Sequence, residues 1–274
     1  MRLPFFKNED TGENILLPPV RQSAGPLSVE AYGSTHQGRR LVNEDAFACV
    51  VRPDRPDWLE TLLIVSDGIG GRQNGNIAST MAVRSVKDNA LAAPTIPPPH
   101  DYEAWLVSLM QKASQDVYQV STENPHLAQM GCTLTIAAVI HRMLYVASLG
   151  DSRAYLHRGR RLIQLTHDDW VRTTCDVVPG MEESAGPQNV TVVNQAVGWE
   201  GELEPQSASI EIGDGDVILL CTDGISDAFG SRPLEAEINR GRRRLDMMVR
   251  RLLEQAASIP DADNCTVVVA RIGA

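Results

Sequence analysis

The sequence predicts an α+β fold, a four-layer αββα sandwich in which two antiparallel β-sheets pack face to face and helices flank them. Three observations predict it. Short apolar runs read as strands, two segments at helical spacing interrupt them, and strands then return in a meander that closes with one more helix and a last strand.

The elements follow in order. Residues 1–27 mix charge, Pro and Gly without periodicity and are expected to form a loosely held arm before a single domain over 28–274. Ser28–Ser34, Asp45–Val51 and Thr61–Ser66 have strand character. Ala78, Met81, Ala82, Ser85 and Val86 then recur at helical spacing, as do Tyr102, Leu106, Leu109, Ala113 and Val117. The run Pro94-Thr95-Ile96-Pro97-Pro98-Pro99 between them reads as a stiff connector, because proline lacks the amide that a helix needs. Thr133–Ile140, Met143–Ser148, Ser152–Arg158 and Arg161–Leu165 are separated by tight turns, which is the spacing of antiparallel neighbours. Residues 168–194 lack a clear period and are expected to be an irregular surface excursion. Ser207–Ile212, Asp216–Cys221, a helix through Leu245, Met248, Val249 and Leu252, and the strand Cys265–Ile272 complete the chain.

Composition narrows the functional classes. A chain of 274 residues with 43% hydrophobic content can bury a substantial core. A net charge of −10 argues against a nucleic-acid backbone as partner. No apolar run approaches a membrane span, and the first ten residues lack the apolar centre of a signal peptide. The five cysteines are scattered and never spaced as C-x-x-C, which fits small buried hydrophobes in a reducing compartment. The expectation is a cytoplasmic monomer with no nucleic-acid or membrane partner.

The chemistry lies in four aspartates at the ends of expected strands. Asp45 closes Asn43-Glu44-Asp45, and Asp67 opens Asp67-Gly68-Ile69-Gly70-Gly71 after Leu62-Leu63-Ile64-Val65. Asp223 opens Asp223-Gly224 after Val217–Thr222, and Asp263 precedes Asn264 and Cys265-Thr266-Val267-Val268-Val269. One Asp-Gly after an apolar run is by itself only a turn. Four such carboxylates meeting at one point would repel unless a cation neutralised them, and oxygen ligands suit Mg²⁺ or Mn²⁺. Two cations about 3.5–4 Å apart activate a water toward an anionic, tetrahedral group. Arg40, or its neighbour Arg39, stands close enough in sequence to bind phosphate oxygens in a bidentate fork. Phosphate monoester hydrolysis fits these residues best.

In the order of its motifs the sequence resembles the metal-dependent serine/threonine protein phosphatases of the type 2C (PPM) family, in the bacterial form. The resemblance is carried by Gly38–Asp45, Val65–Gly71, Gly131-Cys132-Thr133, Gly150–Tyr155, Leu165–Asp168, Asn194–Gly198, Cys221–Asp227 and Asp263–Val267. It implies a water bridged by two Mn²⁺ or Mg²⁺ ions that attacks phosphorus in protein phosphoserine or phosphothreonine, countering a serine/threonine kinase. It further implies that Asp45, Asp67, the Gly68 carbonyl, Asp223 and Asp263 ligate the ions, and that Glu44 holds a metal-bound water. Arg40 would take the substrate phosphate, Asp151 would recruit a third ion, and residues 168–194 would form a flap beside the site.

Three departures stand out. Ile69 occupies the place of a histidine proposed as general acid in many eukaryotic members, so leaving-group protonation must come from elsewhere. Asp169 replaces the usual histidine after Asp168, and the flap is short and lacks a basic stretch. Two other classes share these residues: a catalytically weak phosphoprotein-binding regulator of the same fold, and a two-metal hydrolase of small phosphate esters. The first would bind phosphoproteins without turnover; the second would prefer nucleotides over phosphopeptides. The arginines of 240–244 with Arg250 and Arg251 read as a solvated helix face.

Overall fold

Alternation of apolar residues along the strands decides the architecture. In β5 (Thr61–Ser66), Leu62 and Ile64 point one way, while Leu63 and Val65 point the other. All four are fully buried, so a layer must cover each face of this strand. The computed structural model shows those layers, and it describes residues 5–7, 14–22, 27–51, 57–69, 74–93, 101–175, 188–193 and 195–273.

The elements run β1 (Phe5–Lys7), β2 (Asn14–Leu16), β3 (Ser28–His36), β4 (Ala46–Val50), β5, α1 (Gly75–Ala92) and α2 (Tyr102–Glu123). Next come β6 (Leu134–Ile140), β7 (Met143–Leu149), β8 (Arg153–Arg158), β9 (Arg161–Gln164), β10 (Trp170–Cys175), β11 (Gln188–Val193), β12 (Gln206–Glu211) and β13 (Val217–Cys221). The short α3 (Asp223–Ser226), α4 (Ser231–Gly241), α5 (Leu245–Ala257) and β14 (Cys265–Gly273) close the chain.

One sheet has the order β12-β7-β6-β5-β4, the other β3-β14-β13-β8-β9, and every neighbouring pair is antiparallel. Leu62 and Ile64 of the first sheet pack on α1 and α2 with Ala82, Val86, Leu106 and Met110. Leu63 and Val65 meet Leu220, Val268 and Ala270 between the sheets. Leu219, Val267 and Val269 face α4 and α5 through Ile238, Met248 and Leu252. The result is the four-layer αββα sandwich, and the two helical patterns of 78–90 and 102–120 are both helices.

Two expectations change and one element is new. The excursion of 168–194 is not wholly irregular: β10 pairs with β11 in a two-stranded ladder from Trp170↔Val193 to Cys175↔Gln188. Its β-branched runs, Val171, Thr173 and Thr174 against Val190, Thr191, Val192 and Val193, supply that propensity. Helix α4 carries no separate expectation in the sequence, yet Leu234, Ile238 and Gly241 bury one of its faces. The segment expected as a loose arm is, over residues 17–22, docked on the sandwich. Leu17 is buried between the sheets, and Arg21 accepts a backbone hydrogen bond from Asp214 at 2.7 Å. The proline connector of 94–99 lies outside the described residues, as do Gly70, Gly71, the centre of the flap and Asn194. The arginine stretch is largely solvated, with Arg240 paired to Glu237 and Arg244 to Asp246.

Candidate active site

Antiparallel pairing brings the acidic residues to one end of the sandwich. Ala46 pairs with Ser66, so Asp45 just before β4 neighbours Asp67 just after β5. Cys221 pairs with Val267 and with Arg153, which brings Asp223, Asp263 and Asp151 to the same end. Cys265 pairs with His36, placing the turn of 37–42 beside them. Sequence separations above 200 residues collapse to neighbours because each carboxylate sits at a strand terminus.

These residues open onto a cavity of about 670 Å³ whose lining includes Arg40, Glu44, Asp67, Gly68, Asp151, Asp223 and Asp263. Arg40 lines it and Arg39 does not; Arg39 is held instead by its backbone amide on Ala262 at 2.8 Å. Asp45 lies behind the wall, 9% exposed. Two glycines allow the close approach that shapes the floor. A Cβ on Gly68 would stand 2.3 Å from the Gly75 backbone, and one on Gly75 would stand 2.8 Å from both Gly68 and the Glu44 carboxylate. The start of α1 is thereby pressed against the Asp67-Gly68 turn.

Residues that sequence motifs named without a role hold the acids in place. Thr222 and Thr266 both donate to Asp45 Oδ2, at 2.8 and 2.6 Å. Asn264 accepts from the Glu44 amide at 2.8 Å and donates to the carbonyls of Gln37 and Val42, tying the 37–42 turn to β14. Thr133 accepts from the Asp67 amide at 3.0 Å and contacts Ser152 at 2.8 Å. The signal was position: Thr222 and Asn264 adjoin motif aspartates, Thr266 lies three residues past Asp263, and Thr133 ends the Gly131-Cys132-Thr133 motif, all where a hydroxyl or amide can bond an exposed ladder end. At the flap base, Arg153 grips Asp168 with two bonds of 2.8 and 2.6 Å, and the Asp169 amide donates to Gly150 at 3.0 Å.

The electrostatics are those of an unneutralised acid cluster. Burial pushes Asp45 up to about 6, against the opposing effect of Thr266 and Thr222. Burial pushes Asp223 up to about 7, with the charge of Asp151 adding to it. Asp67 is raised well above the usual carboxylate range by burial and then by the charges of Asp45 and Asp223. Asp151 is raised by burial, and Asp168 and Asp227 press in the same direction.

The donor set fits hard cations. Among the described residues, Oδ1 of Asp45 and Oδ1 of Asp223 are buried without a hydrogen-bond partner, and Asp67 lies within hydrogen-bonding reach of Asp223. Oxygens so placed need either protons or a divalent ion. Among the described residues no three of these side chains already enclose one point as a finished ligand shell. Asp263 is turned instead onto Arg40, at 2.6 Å.

A family model described as protein phosphatase 2C matches residues 32–258. The chain belongs to the protein phosphatase 2C family. It is thereby a protein phosphatase of the metal-dependent serine/threonine class. The serine/threonine phosphatase stp of Listeria monocytogenes is 29% identical over 241 residues, spanning 86% of this chain and 92% of that protein. The serine/threonine protein phosphatase PstP of Mycobacterium tuberculosis is 30% identical over 214 residues, 77% of this chain and 40% of that protein. The crystal structure of PstP/Ppp from Mycobacterium tuberculosis superposes with a TM-score of 0.71 at 26% identity, covering 90% of this chain and 99% of that one. A structure of the PstP catalytic domain, in complex with two manganese ions, matches with a TM-score of 0.71 at 25% identity over 91% and 100% of the two chains. In this phosphatase 2C chain, then, the candidate site lies at one end of the sandwich.

Proposed function

We propose that this phosphatase hydrolyses phosphoserine and phosphothreonine in proteins at a centre of two Mn²⁺ or Mg²⁺ ions. Asp45, Asp67, the Gly68 carbonyl, Asp223 and Asp263 would hold them. The observation that carries the reading is the convergence of these carboxylates beside Arg40, with buried Oδ1 atoms of Asp45 and Asp223 that have no hydrogen-bond partner among the described residues. The two manganese ions of the PstP catalytic domain support the count.

Bound there, the ions supply Lewis acidity toward phosphate oxygens and make water acidic enough to lose a proton near neutral pH. The chain's own groups do the rest. Arg40, with a side chain 58% exposed, turns from Asp263 onto two oxygens of the incoming phosphate. Glu44 lies in the cavity wall, its backbone fixed by Asn264 and Ser79, and orients water by accepting its hydrogen bond. Thr222 and Thr266 keep Asp45 ionised and aligned. Ile69 offers no proton, and Asp151, also in the cavity lining, would serve the leaving group by recruiting a third ion.

The substrates are phosphorylated proteins, and the counterpart is a serine/threonine kinase. The free thiols of Cys49, Cys132, Cys221 and Cys265 support the reducing cytoplasm. No helix among the described residues is long and apolar enough to cross a membrane.

Phosphate release from phosphothreonine peptides tests the assignment. It should require Mn²⁺ or Mg²⁺ and stop with EDTA. Tight phosphopeptide binding without release would instead make the chain a regulator, and nucleotide turnover far above peptide turnover would make it a small-ester hydrolase.

A further inference from the structure

Beside the phosphate-binding Arg40, the structure holds a leucine out in solvent. Leu41 is 97% exposed and Val42 52% exposed, and both line the acidic cavity. A single exposed leucine on a mobile loop would mean little. Here the turn beneath it is fixed on every side. Gln37 donates its side-chain amide to the Arg40 carbonyl at 2.7 Å, and Asn264 donates to the Val42 carbonyl at 3.0 Å. The Arg39 amide bonds Ala262 at 2.8 Å. Gly38 takes φ +62°, and a Cβ there would stand 2.0 Å from the Asp263 carbonyl. Leu41 therefore cannot fold back into the core. With Val42 and Ile69, it is one of the few large apolar side chains lining an otherwise mostly polar mouth.

We infer that Leu41 and Val42 form a specificity lip that packs against a large apolar side chain flanking the phosphorylated serine or threonine. The inference rests on the proposed hydrolysis of phosphoproteins. A substrate whose phosphate lies on Arg40 brings residues one or two places along within about 7 Å, the reach of an extended chain. That distance reaches the neighbouring Leu41. Burying one leucine side chain against the lip favours that peptide, whereas the carboxylate-rich remainder of the wall offers an apolar group nothing.

The test is a set of phosphothreonine peptides in which one leucine replaces serine at each of the two positions on either side, with nitrophenyl phosphate as a substrate lacking flanks. The readout is the ratio of kcat/KM for leucine over serine, which does not depend on absolute activity. At one or more positions the ratio should be about three- to tenfold, the worth of a partly buried apolar side chain. Leu41→Ser should bring it near unity, and Leu41→Met should keep it. A ratio near unity at all four positions, or a preference that survives Leu41→Ser, overturns the lip while leaving the hydrolase reading intact. No phosphate released from any peptide or from nitrophenyl phosphate overturns the hydrolase reading, and the lip with it.

Discussion

Asp45 shows most directly how function and stability oppose each other here. Its carboxylate titrates near 6 in the folded chain because it is buried, against 3.8 as the ordinary value. Asp223 titrates near 7 for the same reason. Both values are raised, so between about pH 4 and pH 7 the folded, metal-free protein binds more protons than the unfolded chain. Its stability is therefore greatest at the acid end of that window and falls as pH rises through it. The melting temperature of the metal-free protein should drop from pH 5 to pH 7.5, and saturating Mn²⁺ should restore most of the loss. Asp45→Asn removes the charge but leaves an oxygen for Thr222 and Thr266. It should stabilise the metal-free fold at pH 7.5 by up to about 3 kcal/mol, the worth of two pKa units, and abolish turnover. A melting temperature that is flat or rises with pH would remove the electrostatic account. Arg40 and Arg39 separate on geometry, since only Arg40 lines the cavity. Arg40→Ala should raise KM for phosphopeptide and lose about 1.5–3 kcal/mol in kcat/KM, with Arg39→Ala costing much less. Steady-state kinetics of the two variants decide the register.

Among the elements, the N-terminal segment is where sequence reading fell short. Residues 14–22 carry no period, and nothing in their composition says what they touch. Contacts with distant partners decide their place. Gly159 leaves room for Pro18, whose Cγ would stand 2.5 Å from a Cβ there, and Gly213 leaves room for the Arg21 carbonyl at 2.3 Å. Gln22 reaches Glu211 at 2.8 Å. Leu17, 3% exposed, enters the core between the sheets. Leu17→Ala should cost about 2–4 kcal/mol in urea unfolding while leaving metal dependence unchanged, because the cavity lining includes no residue of this segment. A cost below 0.5 kcal/mol would mean the segment is not part of the folded core. Helix α4 was hidden for a related reason: its apolar face is only Leu234 and Ile238, set among charges. The strands were legible because Leu62 to Val65, Val217 to Leu220 and Val267 to Ala270 are buried on both faces, and continuous apolar runs bounded by Asp-Gly or Asp-Asn have few other readings.

The whole molecule is a device for bringing distant chain ends together. Each motif aspartate was legible because it stands at a strand terminus. The supporting cast, Thr222, Thr266 and Asn264, became assignable only when antiparallel register set Cys221 against Val267. Under the proposed function, the acids at this end of the sandwich form one centre for two ions that turns over phosphoproteins. Calorimetric titration of the metal-free protein with Mn²⁺, with phosphate release from a phosphothreonine peptide followed in the same samples, tests it most directly. At least two ions should bind per chain, turnover should rise only as the second site fills, and Asp223→Asn should lose both an ion and the turnover. Phosphate release that persists without bound metal, or a full complement of Mn²⁺ retained by Asp223→Asn with undiminished activity, would contradict it.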